Sequence, residues 1–328
     1  MRFIGKTGVK VSRIGLGTMT FGGDADEATS RAIFERAREA GVNHFDTADV
    51  YNRGRSEELL GSFVAGCRDE VVIATKAYFA TGNDPNARGG SRYHLVRAVE
   101  SSLRRLRTDR IDLFYLHRWD DATHLEETLR AVEHLVSRGM ILYPAVSNFS
   151  AWQTAKALGV QSRLGFSPLV AIQPMYNLVK RQAEVEIFPM TVSEGLAAFP
   201  YSPLGGGLLS GKYGVGNRPE SGRLSAWEIY RVRYGESFNY EVADRFRQLA
   251  AEAGLAPATL ALAWVMSSPA VTAPLVGVRN VQQLEPLLAA MELHLDPALR
   301  ARVSALVPDP PPATDRNEEG RVHTLGQR

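Results

Sequence analysis

Gly15-Leu16-Gly17-Thr18-Met19-Thr20 ends the first apolar run of the chain, Ile14–Thr18, and begins the turn after it. A doubly wound sheet that binds a dinucleotide carries G-x-G-x-x-G at this place, the last glycine packing the first helix against the sheet. Here that last position is Thr20. The segment therefore argues against a doubly wound sheet and leaves the other common arrangement of alternating strands and helices, a closed (β/α)8 barrel.

Outward from this segment the alternation persists. Further apolar runs occupy Asn43–Thr47, Val71–Ala77, Ile111–His117, Ile141–Asn148, Leu169–Tyr176, Ala197–Leu204 and Val271–Val278. They are short and rich in β-branched and aromatic residues, as strands covered on both faces require. Helical patterns fill the intervals at Asp26–Ala40, Ser56–Gly66, Ser91–Arg107, Thr123–Arg138, Ser150–Leu158 and Asn280–Met291. Capping boxes are expected at Thr123-x-x-Glu126 and Ser150-x-x-Gln153, and helix stops at Gly41 and Gly139. Residues 1–13 read as a hairpin ahead of the barrel. Residues 205–239, rich in Gly, Arg and aromatics, read as a long functional loop or lid. The expectation is a single domain over 1–328, with a barrel core over about 14–292. A C-terminal helix from Asp296 and a mobile polar tail complete it within 293–328.

Composition narrows the function classes. Lys and Arg number 38 against 36 acidic residues, a balance that gives no reason to expect a nucleic-acid or membrane-surface partner. The single cysteine, Cys67, excludes an internal disulfide framework. No apolar run reaches the roughly 18–20 residues of a membrane span, and the first residues lack a signal-peptide pattern, so a cytoplasmic protein is expected.

A barrel places reactive residues at the C-terminal ends of its strands. Three successive runs end in or near Asp46, Lys76 and His117, and Tyr51 follows the first of them. Together they suit carbonyl reduction. The alkoxide that forms needs a proton donor, and a phenol such as Tyr51 can serve if a nearby ammonium, Lys76, lowers its pKa. Asp46 would hold Lys76 charged, and a neutral His117 would orient the carbonyl oxygen. No metal is needed, and no second ligand is spaced to join His117 at one. His94, His124 and His134 fall in helical stretches and are expected to be solvated.

The residues also carry a resemblance. The chain resembles the aldo-keto reductases, in particular the bacterial branch related to potassium-channel β subunits. The likeness rests on Gly15-Leu16-Gly17-Thr18-Met19, Phe45-Asp46-Thr47-Ala48-Asp49-Val50-Tyr51 with Gly54-Arg55-Ser56-Glu57, and Ala74-Thr75-Lys76. It continues through Asp112-Leu113-Phe114-Tyr115-Leu116-His117-Arg118-Trp119-Asp120, Val146-Ser147-Asn148-Phe149 and Tyr201-Ser202-Pro203-Leu204 with Gly206-Gly207-Leu208-Leu209. The resemblance implies a (β/α)8 barrel, a nicotinamide cofactor across its mouth, and a catalytic tetrad of Tyr51, Lys76, Asp46 and His117. It implies that Ser147, Asn148 and Gln173 hold the nicotinamide carboxamide, that Tyr201 stacks on the ring, and that Ser202, Leu204 and Gly206 line the pyrophosphate. Gly17 and Thr18 would flank the nicotinamide ribose, with Asp46 also among the cofactor contacts.

The adenosine end is expected at Gly277-Val278-Arg279-Asn280-Val281-Gln282-Gln283, where a helix N-terminus can receive phosphate. Gly277 and Gln283 would contact the cofactor. Arg279 is similar to the family's contact for the 2′-phosphate, which implies NADPH rather than NADH. Leu287 stands where the family usually has an asparagine against adenine, and Gly139-Met140-Ile141-Leu142 replaces the usual Gly-Lys-Ile-Arg. The substrate would be a small carbonyl compound, in a pocket of Met19, Tyr51, Tyr78, His117, Arg118 and Trp119. Arg118 occupies a place where many members have an aromatic residue. With the arginines around Arg231 and Arg233 it would favour polar or anionic substrates, the alternative being a surface pair with Asp120 or Asp121. The implied activity is reduction of an aldehyde or ketone. Its alternative is a cofactor-sensing regulatory subunit.

Overall fold

The computed structural model describes residues 1–314. All eight apolar runs contain a strand: β3 (Gly15–Gly17), β4 (His44–Asp46), β5 (Val72–Ala77), β6 (Ile111–Leu116), β7 (Ile141–Ser147), β8 (Ala171–Gln173), β9 (Ala197–Ala198) and β10 (Leu275–Val276). They form one parallel sheet in chain order, with β10 returning to pair with β3 through Leu275↔Gly15. Closure between β9 and β10 is made just beyond β9. Tyr201 bridges Leu275 in parallel, and the Leu275 N–H donates to the Pro200 carbonyl at 2.8 Å. The result is a (β/α)8 barrel whose strand C-termini share one rim.

The seam between β3 and β10 explains one of the glycines. A Cβ on Gly15 would lie 2.6 Å from Leu275 Cδ2 and 2.8 Å from His44 Nδ1, too close for either. Inside the barrel, Val72, Leu113, Tyr115, Ala145, Ala171 and Phe199 form one buried layer. A hairpin of β1 (Arg2–Phe3) and β2 (Lys10–Val11) supplies Ile4 and Val11 to the same layer, plugging the N-terminal end.

The helices that cover the outside are α1 (Glu27–Glu39), α2 (Arg55–Phe63), α3 (Arg92–Leu106), α4 (Leu125–Ser137), α5 (Ala151–Leu164), α6 (Ile187–Glu194), α7 (Arg223–Ala226), α8 (Glu228–Tyr234), α9 (Ser237–Glu252), α10 (Pro257–Met266), α11 (Val281–Ala289) and α12 (Pro297–Ser304). Among the described residues no single helix is long and apolar enough to cross a membrane. The Ser150 capping box forms, and Gly41 and Gly139 follow their helices at φ +80° and +71°.

Four expectations need correction. The Thr123 capping box does not form: α4 starts after His124, and the Thr123 hydroxyl instead donates to Asp120 Oδ2 at 2.7 Å. His94 is buried rather than solvated, because it lies on the inner face of α3, and burial lowers its pKa. Residues 205–239 are not a plain loop. They carry a 3-10 turn at Gly205–Ser210, α7, α8 and the start of α9. Tyr213, Leu224, Tyr230 and Tyr234 there pack with Tyr240 of α9 into a small core of their own. Finally, α5 runs on to Leu164, six residues past Leu158, the end read from the sequence. The tail expected to be mobile falls mostly on residues 315–328, outside the described residues.

Candidate active site

The strand ends bring the expected side chains together. Asp46 ends β4, Ser147 ends β7 and Gln173 ends β8, while Lys76 is the last residue but one of β5 and His117 directly follows β6. Lys76 is fully buried, with Nζ 2.5 Å from Asp46 Oδ1 and 2.7 Å from the Thr47 carbonyl. The second carboxylate oxygen of Asp46 accepts from Gln173 Nε2 at 2.9 Å. Tyr51 lies over this pair, its ring centroid 5.3 Å from Lys76 Nζ and 6.2 Å from the His117 ring.

Tyr51 is held there by a turn. Asn52, Arg53 and Gly54 all have positive φ, and Asn52 Nδ2 donates to the Met19 and Phe21 carbonyls at 2.9 and 2.7 Å. That bond ties the loop after β4 to the loop after β3. A Cβ at Gly54 would stand 2.7 Å from Arg105 Cδ, so the turn needs glycine on two counts.

The electrostatics follow from burial. Burial and the Lys76 charge hold the His117 imidazole well below its ordinary pKa, so it is neutral. Burial pushes Asp46 up and Lys76 down, and their pairing opposes both. The Tyr51 phenol departs from expectation: burial, then the Asp46 charge, raise its pKa well above the ordinary value. Burial outweighs the expected lowering by Lys76, and the Asp46 carboxylate paired with that ammonium adds to the rise. A residue the sequence reading passed over completes the set. Asp49 is buried, its carboxylate oxygens have no hydrogen-bond partner among the described residues, and burial with the Glu57 charge raises its pKa to about 7.

Above these residues opens a cavity of about 890 Å³. Gly17, Asp46, Tyr51, His117, Ser147, Asn148 and Gln173 line its floor, and Tyr201, Ser202, Leu204 and Gly206 its side. Its far arm reaches Gly277, Arg279, Gln283 and Leu287. Thr18 is not at the surface. It is fully buried, with its hydroxyl 2.8 Å from that of Ser56. Asn148 and Ser202 both sit at φ +57°, a conformation that costs a serine more than an asparagine. The Tyr201 hydroxyl donates to Asn148 Oδ1 at 2.7 Å, and Asn148 Nδ2 donates to the His117 carbonyl at 3.0 Å.

The sequence profile of the Aldo/keto reductase family matches residues 13–307, which covers the entire barrel just described. The chain belongs to this family. An uncharacterized oxidoreductase of Bacillus subtilis, YrpG, is 37% identical over 323 residues, spanning 94% of this chain and 96% of its own length. A probable voltage-gated potassium channel subunit beta of Oryza sativa subsp. japonica is 35% identical over 322 residues, spanning 95% of this chain and 98% of that protein. A probable subunit of the same kind from Arabidopsis thaliana is 35% identical over 298 residues, spanning 88% and 90%. Family membership makes the protein an oxidoreductase of the aldo/keto reductase type.

Two residues expected in the substrate pocket lie elsewhere. Trp119 turns away, packing edge-on against Phe149 and Trp152 while its Nε1 donates to Asp121 at 2.7 Å. Tyr78 is also outside the cavity. The chain bends just after β5, and Phe79 takes the place at the wall, 4.8 Å from the His117 ring. Met19 and Arg118 do line the cavity. Arg231 does not, but Arg233 does, with Lys212, Arg223, Trp227 and Tyr230. Of these only Arg233 fell in the arginine cluster singled out in the sequence; Arg223 and Tyr230 come from α7 and α8, Trp227 from the joint between them, and Lys212 from the turn after Ser210, all inside the segment that reads as loop. Arg279 is not free: its Nε lies 2.9 Å from Asp24 Oδ2, and its Nη1 donates to the Ser221 carbonyl at 3.2 Å.

Proposed function

We propose that this protein is an NADP(H)-dependent reductase that converts an aldehyde or ketone to an alcohol. The observation that carries the reading is the convergence of a phenol, a neutral imidazole and a buried Lys76–Asp46 pair on the floor of one cavity. The far arm of the cavity fits a dinucleotide. Lys212, Arg223 and Arg279 gather along it, and burial, then the charges of Arg279 and Arg223, lower the Lys212 pKa. Like charges so placed are stabilised by an anion. Beside them Gly206 and Gly207 have φ +68° and +99°, and a Cβ at Gly206 would meet the Tyr230 ring at 2.6 Å. The Gly206 contact keeps a side chain out from under the Tyr230 ring, and both glycines line the cavity, where their backbone can face a pyrophosphate. Arg279 would take the 2′-phosphate.

A reduced nicotinamide, when bound, supplies the hydride that enters the carbonyl carbon. The chain supplies the remainder. Tyr51 holds its proton throughout the neutral range, because its pKa is raised, and gives it to the carbonyl oxygen as negative charge develops there. Lys76 lies close enough to stabilise the tyrosinate left behind. His117, neutral, donates a hydrogen bond that orients the oxygen. Gln173 and Thr47 fix Asp46 and Lys76 so that neither swings toward substrate.

Consumption of NADPH with a panel of aldehydes and ketones tests the reading. The Tyr51→Phe variant is expected to lose roughly 10²–10⁴-fold in kcat while binding NADPH as the wild type does. A Phe variant of near wild-type rate would remove Tyr51 from the role. The plant relatives described as potassium channel β subunits favour a second reading, a cofactor-sensing regulatory subunit. Tight NADPH binding with no turnover on any carbonyl would select it.

A further inference from the structure

Two arginines stand at the mouth of the cavity without a counter-charge. Arg118 follows His117 just after β6, and Arg233 comes from α8. Both line the cavity that Tyr201 also lines, so from separate elements they reach one place. Among the described residues neither forms an ion pair, whereas Arg105 has Glu57 and Arg279 has Asp24. The acids nearest Arg118 in sequence are engaged. Asp120 accepts from the Gly90 and Ala122 N–H groups and the Thr123 hydroxyl, and Asp121 accepts from Trp119. Val50, Phe79, Trp227 and Ile229 make the wall nearby apolar.

We propose that this mouth selects aldehydes or ketones that carry an anionic oxygen group, carboxylate or phosphate, a few atoms from the carbonyl. The inference rests on the reductase reading above and specifies its substrate class. Arg118 lines the same cavity as His117, so a substrate whose carbonyl meets His117 can present its anion to the Arg118 guanidinium. The apolar wall covers the carbon skeleton between the two ends. Guanidinium groups offer paired donors that match either anion, and bonds to charged partners are the stronger kind. With no acid to neutralise them, both cations are available to the substrate. Tyr230, with Arg233 5.8 Å from its ring, steadies the lid side of the pair.

The test compares matched substrates that differ in charge. 4-Carboxybenzaldehyde is set against methyl 4-formylbenzoate, and glyceraldehyde 3-phosphate against glyceraldehyde. In at least one pair the anion is expected to have a kcat/KM roughly tenfold or more above its neutral partner at low ionic strength. Added salt should shrink that ratio. The double variant R118Q, R233Q should bring it close to one, and the arm that responds identifies the anion. Equal kcat/KM within both pairs in the wild type overturns the proposal. So does a double variant that loses NADPH affinity as steeply as it loses the ratio, since the arginines would then serve the cofactor. If the wild type reduces none of the four and no carbonyl of the wider panel, the reductase reading fails on its own. Calorimetric titration of benzoate and benzamide into the NADP+-saturated protein then decides the anion site. Benzoate binding that R118Q, R233Q abolishes upholds it, and equal binding or none refutes it.

Discussion

Asp49 is the residue whose chemistry is least like its type. It is 2% exposed, its carboxyl lacks a hydrogen-bond partner among the described residues, and the Glu57 carboxylate adds to the effect of burial. Arg105 and Lys76 oppose the shift without cancelling it, leaving a pKa of about 7 against an ordinary 3.8. The sign follows from proton counting. Between these two values the native state holds a proton that the unfolded state releases, so stability falls as pH rises through the window. Above it the penalty is constant. Asparagine has the same shape and no charge to bury. We predict that Asp49→Asn gains stability over the wild type on going from pH 5 to pH 8, by more than about 1 kcal/mol. Urea unfolding at the two pH values measures it; a difference that stays flat between them would assign the raised pKa no thermodynamic weight. At this scale the meeting of Asp46, Lys76 and His117 was legible from their places at or next to strand ends, and Tyr51 from the motif that follows β4. Asp49 was not, since an acid two residues before Tyr51 reads as an ordinary loop residue until burial is known.

At the scale of elements, Arg279 joins three loops. It lies between β10 and α11, its guanidinium meets Asp24 in the loop after β3, and it donates to Ser221 just before α7. The Asp24 carboxylate faces the same guanidinium that a 2′-phosphate would use, so the two anions compete. We predict that Arg279→Ala narrows the preference for NADPH over NADH by about one to two orders of magnitude, mostly by weakening NADPH. Asp24→Asn should act oppositely, tightening NADPH more than NADH, with the gain fading in high salt. Fluorescence titration of both cofactors checks this, and an Asp24→Asn variant with weaker NADPH binding would mean that the ion pair retains the cofactor instead. The elements carrying Arg279 were legible: Asn280 caps α11 through Gln283 as its sequence suggests. The elements facing it were less so. α10 is buried on every side, so its Ala, Leu, Trp and Val residues show no amphipathic stripe to read. The short helices α7 and α8 are held by tyrosines packed on one another, a long-range arrangement with no local period.

For the molecule as a whole, closure of the barrel is the step on which every other arrangement depends, because it sets the ring of strand ends that holds the site. Eight strands in chain order were readable from the alternation of apolar runs, and the absence of a third glycine after β3 pointed to closure over an open sheet. What the sequence could not express is how tight the seam is. At Gly15 the backbone of β3 passes Leu275 of β10 and the buried ring of His44 with no room for a methyl group. Gly159 is the reverse case: it lies within α5 with nothing within 4 Å of where a Cβ would be. The same chemical change should therefore have opposite signs at the two sites. We predict that Gly15→Ala destabilises the protein by roughly 1–3 kcal/mol, the usual range for overpacking a filled core. Gly159→Ala should stabilise it by about 0.5–1 kcal/mol, through the lower backbone entropy of alanine in a helix. Denaturant unfolding of the two variants beside the wild type decides the matter. If closure at this seam holds the site together, Gly15→Ala should also weaken NADPH binding, since Gly17 and Gly277 line the cavity two residues beyond the crowded pair, while Gly159→Ala leaves it unchanged. A Gly15→Ala protein as stable as the wild type would show that the seam can relax, and the barrel would then owe its closure to the hydrogen bonds around Leu275 and Tyr201 instead.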